Sequence, residues 1–304
     1  MNNNKIENKF CTCLGSDNVK LQEPMSKHTT FRIGGPADFY LCPHSTKEVQ
    51  QTVQICKEEN LPYFILGNGS NLLVSDKGYR GAIIQLWKNF SDISVKDCCI
   101  TAKAGALLSK VAAEALEEGL TGMEFASGIP GTIGGAVFMN AGAYGGEMKD
   151  IIKEVKVLDD QGEIRVLSNE EMKLGYRTSI VKEKGYTVLS AVLQLKKGDA
   201  SVIRETMEDL KNRRTSKQPL DMPSAGSTFK RPEGYFAGKL IMDSGLRGFS
   251  MGGAQVSEKH CGFVVNKGGA TAEDVTALIR EVQRRVKEKF GVELETEVRF
   301  LGEF

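Results

Sequence analysis

The sequence carries no excess of charge of either sign. Its 304 residues include 40 Lys and Arg against 39 Asp and Glu, so no global field draws the chain toward nucleic acid or anionic lipid. Any anionic ligand must therefore be held locally. No apolar run approaches the roughly 20 residues that span a bilayer, and the polar start MNNNKIENKF lacks the apolar centre of a secretion signal. A cytoplasmic chain with no membrane and no nucleic acid among its partners is expected. The seven cysteines, Cys11, Cys13, Cys42, Cys56, Cys98, Cys99 and Cys261, do not follow the regular spacing of a disulfide scaffold. The closely placed ones have no His or Cys pair at zinc-ligand spacing. Reduced thiols and no metal are expected. No Walker A sequence occurs. The turn GNGSN at 67–71 lacks the third glycine of the dinucleotide fingerprint, and no acidic residue follows at the right place, which disfavours a Rossmann site.

What is abundant is glycine, 33 residues with clusters at 67–69, 128–146 and 245–253, a pattern of loops shaped for a ligand. Around these loops the chain alternates helical and extended signals, and its length allows two or three domains. Ser45 to Glu48 forms a capping-box pattern ahead of Val49, Val53 and Cys56 at helical spacing, and Tyr63 to Leu66 reads as a strand feeding the 67–71 turn. Leu108, Val111, Ala112, Ala115 and Leu116 make an apolar stripe that Gly119 stops. Strand-like pieces follow at 151–158, 164–167 and 187–195, then a helix at 201–214 that turns basic at Lys211, Arg213 and Arg214. A strand at 262–266 precedes a helix from Thr271 with Asp274 completing its capping box and Gly291 ending it. Residues 292–301 alternate, with Val292, Leu294, Thr296, Val298 and Phe300 on one side and Glu293, Glu295 and Glu297 on the other. These signals set off a lead-in at 1–23 and place a domain boundary near 210.

Two of the glycine loops carry the chemistry. Gly67, Asn68, Gly69, Ser70 and Asn71 follow a strand and offer backbone N–H groups with hydroxyl and amide donors, a set suited to a pyrophosphate. Gly128, Pro130, Gly131, Thr132, Gly134 and Gly135, followed by Asn140, Ala141 and Gly142, let the main chain approach a flat ligand where a Cβ would collide. A flavin is one such ligand; tight turns alone are the competing explanation.

The segments TTFRIGGPADF, ILGNGSNLLV, GIPGTIGGAVFMNAGAYG, GYRTS, PSAGSTFKRP, GGAQVSEKHCGFVVN and LETEVRFLG together resemble the UDP-N-acetylenolpyruvoylglucosamine reductase (MurB) family, in the family's order, from about residue 24 onward. The resemblance implies an α+β fold: a PCMH-type, vanillyl-alcohol oxidase-like FAD-binding region of two subdomains at 24–100 and 101–210, plus a C-terminal α+β substrate-binding domain at 211–304. It also implies NADPH-dependent, FAD-mediated reduction of UDP-N-acetylglucosamine enolpyruvate to UDP-N-acetylmuramate in peptidoglycan precursor synthesis, by a monomer. By the same resemblance Ser227 is the proton donor, with Arg177 and Glu297 as its catalytic partners, while Tyr176, Lys217 and Arg231 contact substrate. No sizeable insertion follows GYRTS, so the chain resembles the shorter branch that lacks a tyrosine-bearing loop. The alternative is another PCMH-type flavin oxidoreductase acting on a sugar or alcohol, since a fold does not fix its reaction. Without the resemblance Ser227 is a turn serine, and nothing in the alternation selects Glu297 over Glu293 or Glu295.

Overall fold

Side-chain caps set the longest helix where its sequence signals put it. In the computed structural model, which describes residues 3–304, helix Ala272–Phe290 starts at Thr271 and ends at Gly291 with φ 68°. Thr271 Oγ1 accepts the Asp274 amide at 3.0 Å, and the Asp274 carboxylate accepts the Thr271 amide at 3.1 Å. A second carboxylate, Asp76, accepts the amides of Ala272 and Glu273 at 2.8 and 3.1 Å. The first three helical N–H groups, which have no partner inside the helix, are thus all covered by side chains. Val275, Leu278, Ile279, Val282 and Val286 form its buried face.

Asp274 also accepts the Gly253 amide at 3.0 Å. The Gly253 and Thr271 amides hold its pKa below the ordinary 3.8. A folded pKa below the unfolded one stabilises the fold fully above the ordinary value, and the contribution is lost as pH falls through the lowered one. Asp274→Ala should therefore cost about 1 kcal/mol at neutral pH, the usual loss for a helix cap. The melting-temperature gap to the parent should shrink below about pH 4; a gap unchanged at pH 3 would contradict this.

Packing divides the chain into two compact units: residues up to Leu21 with Phe39–Asn68 and Gly81–Arg214, and Gln22–Asp38 with Gly69–Arg80 and Thr215–Phe304. The second unit holds the long helix against an antiparallel sheet ordered Ser224–Ser227, Phe263–Asn266, Ala254–Val256, Ser250–Met251. Phe31, Ile33, Leu73 and Leu246 join the helix face in one core. The alternating run ahead of the C-terminus is shorter as a strand than its pattern suggests. Only Arg299–Leu301 is extended, paired in parallel with Leu72–Val74. Residues 292–295 keep the alternation in burial, but Thr296 and Glu297 are both half-buried and Phe300 is 38% exposed while Leu301 is buried. The reason is local: Thr296 bridges to Phe229 and the Glu297 amide donates to Thr228 O, isolated links in place of a ladder.

The first unit is centred on a fully antiparallel five-stranded sheet, ordered Ile164–Ser168, Ile152–Leu158, Thr187–Gln194, Cys99–Lys103, Ile93–Lys96. Helix Leu108–Glu117 buries Leu108, Val111, Ala112 and Ala115 of its predicted stripe and leaves Leu116 half-buried, and Gly119 follows it with φ 61°. Helix Thr46–Glu58 has Ser45 as its N-cap, with Ser45 Oγ accepting the Glu48 amide at 3.2 Å. The box is not closed, because the Glu48 carboxylate takes the His44 amide instead. The basic helix is longer than expected, Ala200–Lys217. The lead-in contains helix Asn3–Leu14, whose Ile6, Phe10 and Leu14 are buried, with Phe10 edge-on to Phe39 at 5.4 Å. Residues 1 and 2 of the lead-in lie outside the described residues. The glycine stretch also contains a short helix, Ile133–Phe138, which its local sequence does not announce because glycine is a poor helix former.

Candidate active site

Within the first unit the two glycine loops meet. Asn68 Nδ2 donates to Pro130 O at 2.9 Å, and a Cβ on Gly67 would stand 2.4 Å from Thr132 Oγ1, so glycine at 67 is a requirement of that approach. Thr132 is buried, and its hydroxyl has no hydrogen-bond partner among the described residues. A buried unpaired hydroxyl where two glycine loops join calls for a ligand or a water to satisfy it. The amides of Gly67 and Asn68 likewise donate to no protein acceptor among the described residues. Main-chain N–H groups of this kind suit the oxygens of a pyrophosphate. Gly131 and Gly135 leave ordinary space beside their Cα atoms, the nearest atoms standing 3.6 and 3.8 Å from a built Cβ. Together these features fit FAD.

Several of the predicted cofactor residues also have packing tasks inside the protein. Gly134 packs on Ala104, and Gly142 packs on Gly146 and Glu147 in a tight hairpin. Ala141 spends both backbone groups on Ala136 and Met148. Gly128 lies against the Arg214 stem. Asn140 is fully buried, its Nδ2 donating to Glu147 Oε2 and Gly175 O at 2.6 and 3.1 Å and its Oδ1 accepting the Lys149 amide. Its side chain is committed within the protein, and one of those bonds positions the next functional segment.

That segment is the turn at 175–178. Gly175 and Thr178 exchange backbone hydrogen bonds of 3.1 and 3.3 Å, and Asn140 anchors the turn through Gly175 O. Buried Ser179 donates to Phe138 O at 2.7 Å and caps the helix that follows. Between these anchors Arg177 sits at φ 56°, a left-handed conformation that a non-glycine residue holds only when its surroundings impose it. Its guanidinium lies 5.1 Å from the ring of Tyr176, which is exposed. Asn140 and Ser179 are thus positioning residues. Ser179 was detectable as a helix N-cap signal, whereas nothing in the local sequence marks Asn140 as a brace.

Within the second unit Ser227 is exposed at the end of strand Ser224–Ser227, just after Gly226 at φ 74°. Thr228, next to it, is buried and anchored on both sides: its amide donates to Gly262 O, and its Oγ1 accepts the Val264 amide. Thr228 O in turn accepts the Glu297 amide at 2.8 Å. Asn71 grips the same residue, with Nδ2 donating to Glu297 O at 3.1 Å and its own carbonyl accepting the Arg299 amide. Asn71, read from sequence as a cofactor donor, has its side chain engaged as a clamp on Glu297. The three glutamates are no longer equivalent. Glu293 pairs with Lys287 at 2.5 Å and Glu295 pairs with Lys230, both exposed, whereas Glu297 is half-buried beside the Ser227 segment. Arg231 stacks on the exposed Phe236 ring at 4.0 Å, and Lys217 is exposed at the end of its helix.

Residues 37–168 match the FAD binding domain family, and residues 218–301 match the UDP-N-acetylenolpyruvoylglucosamine reductase C-terminal domain. The UDP-N-acetylenolpyruvoylglucosamine reductase of Clostridium perfringens (strain SM101 / Type A) is 57% identical over 286 residues, 94% of each chain. That of Clostridioides difficile (strain 630) is 53% identical over 303 residues and 100% of each chain. The crystal structure of UDP-N-acetylenolpyruvylglucosamine reductase (MurB) from Thermus caldophilus superposes with a TM-score of 0.81 at 36% identity, covering 93% of this chain and 99% of that one. A grass pollen allergen with glucose dehydrogenase activity shares the fold alone, with a TM-score of 0.51 at 13% identity over 64% of this chain and 44% of its own. The fold is therefore the PCMH-type FAD-binding architecture with a further C-terminal α+β domain. The chain belongs to the UDP-N-acetylenolpyruvoylglucosamine reductase family.

Proposed function

We propose that Ser227, Arg177 and Glu297 carry the protonation half of this family's reaction, and that the glycine loops hold its cofactor. The protein is an oxidoreductase that reduces UDP-N-acetylglucosamine enolpyruvate to UDP-N-acetylmuramate with FAD and NADPH, a step of peptidoglycan synthesis. FAD, when bound, passes a hydride from NADPH to the enolpyruvyl double bond. Hydride addition at one carbon leaves an electron pair on the other, beside the carboxylate. Ser227 donates its hydroxyl proton to that carbon, which a weak acid can do because the enolate-like centre is a strong base. Arg177 holds the carboxylate through its fork of N–H donors as charge gathers there. Glu297 orients the donor and the charged intermediate.

The observation that supports this assignment is the link through Thr228, which fixes Ser227 and the half-buried Glu297 on neighbouring, mutually hydrogen-bonded segments. Tyr176, Lys217 and Arg231 contact the sugar nucleotide in this reading. The amides of 67–70 take the FAD pyrophosphate, and Gly131 to Gly135 face its ring. The regions at 24–100 and 101–210 serve FAD, and 211–304 serves the substrate. A monomer is the acting form, since one chain supplies every assigned group. The cytoplasm suits its seven free thiols, of which Cys56 is pushed up to about 12 by burial and is inert. No described helix is long and apolar enough to cross a membrane.

A sugar or alcohol oxidoreductase is not favoured, since the neighbour with glucose dehydrogenase activity matches only in fold. The purified protein should show flavin absorbance that NADPH bleaches and the enolpyruvyl sugar nucleotide restores. Protein that cannot take up added FAD, or reduced protein that reoxidises only with oxygen, would end this reading.

A further inference from the structure

Helix Ala200–Lys217 ends in a run of cations, of which one is handled unlike its neighbour. Arg213 pairs with Asp209 at 2.8 Å on the exposed side. Arg214 is half-buried, and its guanidinium makes no hydrogen bond or ion pair with any described residue. Its stem runs along the main chain of Gly128, where a built Cβ would stand 3.1 Å from Cδ. Glycine at 128 thus leaves room for the arginine against the first turn of the GIPGTIGGA loop. Burial pushes the Arg214 pKa down, and Tyr144, from the following glycine hairpin, is the one titratable neighbour opposing that shift.

A guanidinium keeps its proton at any physiological pH. Half-burying it without an acidic partner is costly, and the fold tolerates that cost beside a loop already shaped for a ligand. No described residue gives this cation an anion, and the external partner that matches a planar fork of donors is a pair of phosphate oxygens.

We propose that Arg214 binds the diphosphate of a nucleotide ligand at the Gly128 turn, a contact that no motif reading assigned to it. The inference rests on the FAD- and UDP-sugar-dependent function given above. Two ligands of that function carry a diphosphate, the cofactor and the sugar nucleotide, and the affinity arms separate them.

The test uses full-length Arg214→Met and Arg214→Lys proteins beside the parent. FAD affinity is read on flavin-stripped protein by fluorescence quenching, and UDP affinity on the holoenzyme by the difference spectrum of its flavin. In Arg214→Met one of the two Kd values should rise about tenfold or more, the factor expected for one hydrogen bond to a charged group. Arg214→Lys should recover part of the loss, and added salt should narrow the gap between Met variant and parent. A weakened FAD arm assigns the anion to the cofactor, and a weakened UDP arm assigns it to the substrate. If both Kd values of Arg214→Met stay within about twofold of the parent, the arginine is a packing residue and the proposal fails, whatever its melting temperature. Should the Met protein not fold, Arg214→Gln, with similar length and a planar polar head, gives the same comparison. Parent protein that takes up neither FAD nor UDP removes the functional reading, and this proposal with it.

Discussion

Ser227→Ala should leave flavin bleaching by NADPH near the parent rate and lower the formation of UDP-N-acetylmuramate on the order of 10²- to 10⁴-fold, the range for loss of a positioned general acid. The two halves separate because Ser227 has no structural task. It is exposed at a strand end, and the bonds that secure this stretch belong to Thr228, which donates to Gly262 O and accepts the Val264 amide. Alanine removes one oxygen and leaves that scaffold intact, so the melting temperature should stay where it was. Single-turnover absorbance reads both steps in one experiment: fast bleaching, then slow recovery once the enolpyruvyl sugar nucleotide is added. Steady-state turnover at the parent rate would take Ser227 out of its role. Slowed bleaching together with slowed recovery would point to a damaged cofactor site.

Gly69→Ala should have the largest effect of any change in the glycine loops. At φ 63° its backbone is left-handed, and a Cβ there would lie 2.0 Å from His28 O and 3.0 Å from Thr29 Cα, both main-chain atoms that cannot turn aside. The same turn is tied by the Thr30 amide to Gly69 O at 3.1 Å. The left-handed conformation alone costs an alanine about 1–2 kcal/mol, and the overlap with fixed backbone adds to it. Gly145→Ala is the control: φ is 90°, but nothing lies within 4 Å of the added atom. Both variants should lose melting temperature, Gly69→Ala more, and only Gly69→Ala should emerge with its flavin content depleted. Equal losses in the two, with flavin retained in both, would mean that close approach is not what fixes glycine at 69.

Local chemistry was legible in the sequence wherever a short stretch contains its own reason. Thr271, Asp274 and Gly291 announce a helix because caps act within one turn, and the stripe from Leu108 to Leu116 announces its buried face in the same way. What stayed hidden depends on partners far along the chain. Asp76 completes the cap of a helix some 200 residues later, which no local window contains. Glu297 could not be told from Glu293 and Glu295 by alternation. It is set apart by Lys287 and Lys230 pairing with the other two, and by Asn71 and Thr228 holding its backbone. Asn140 belongs by sequence to the stretch that brings main chain to a flat ligand, yet its buried side chain spends three hydrogen bonds inside the protein. The division into consecutive blocks has a similar limit, since residues 22–38 and 69–80 group with 215–304 in packing.

The parallel pairing of Leu72–Val74 with Arg299–Leu301 also orders events during synthesis. The strand that leads out of the cofactor turn is made early and has to wait for residues more than two hundred positions downstream before its ladder can form. Until then Leu72, Leu73 and Val74, all buried in the finished protein, have no place to be buried. During translation the nascent chain thus carries an apolar strand with unpaired edges, the kind of segment that chaperones cover. The early glycine turn acquires its final support only when translation reaches the 299–301 strand.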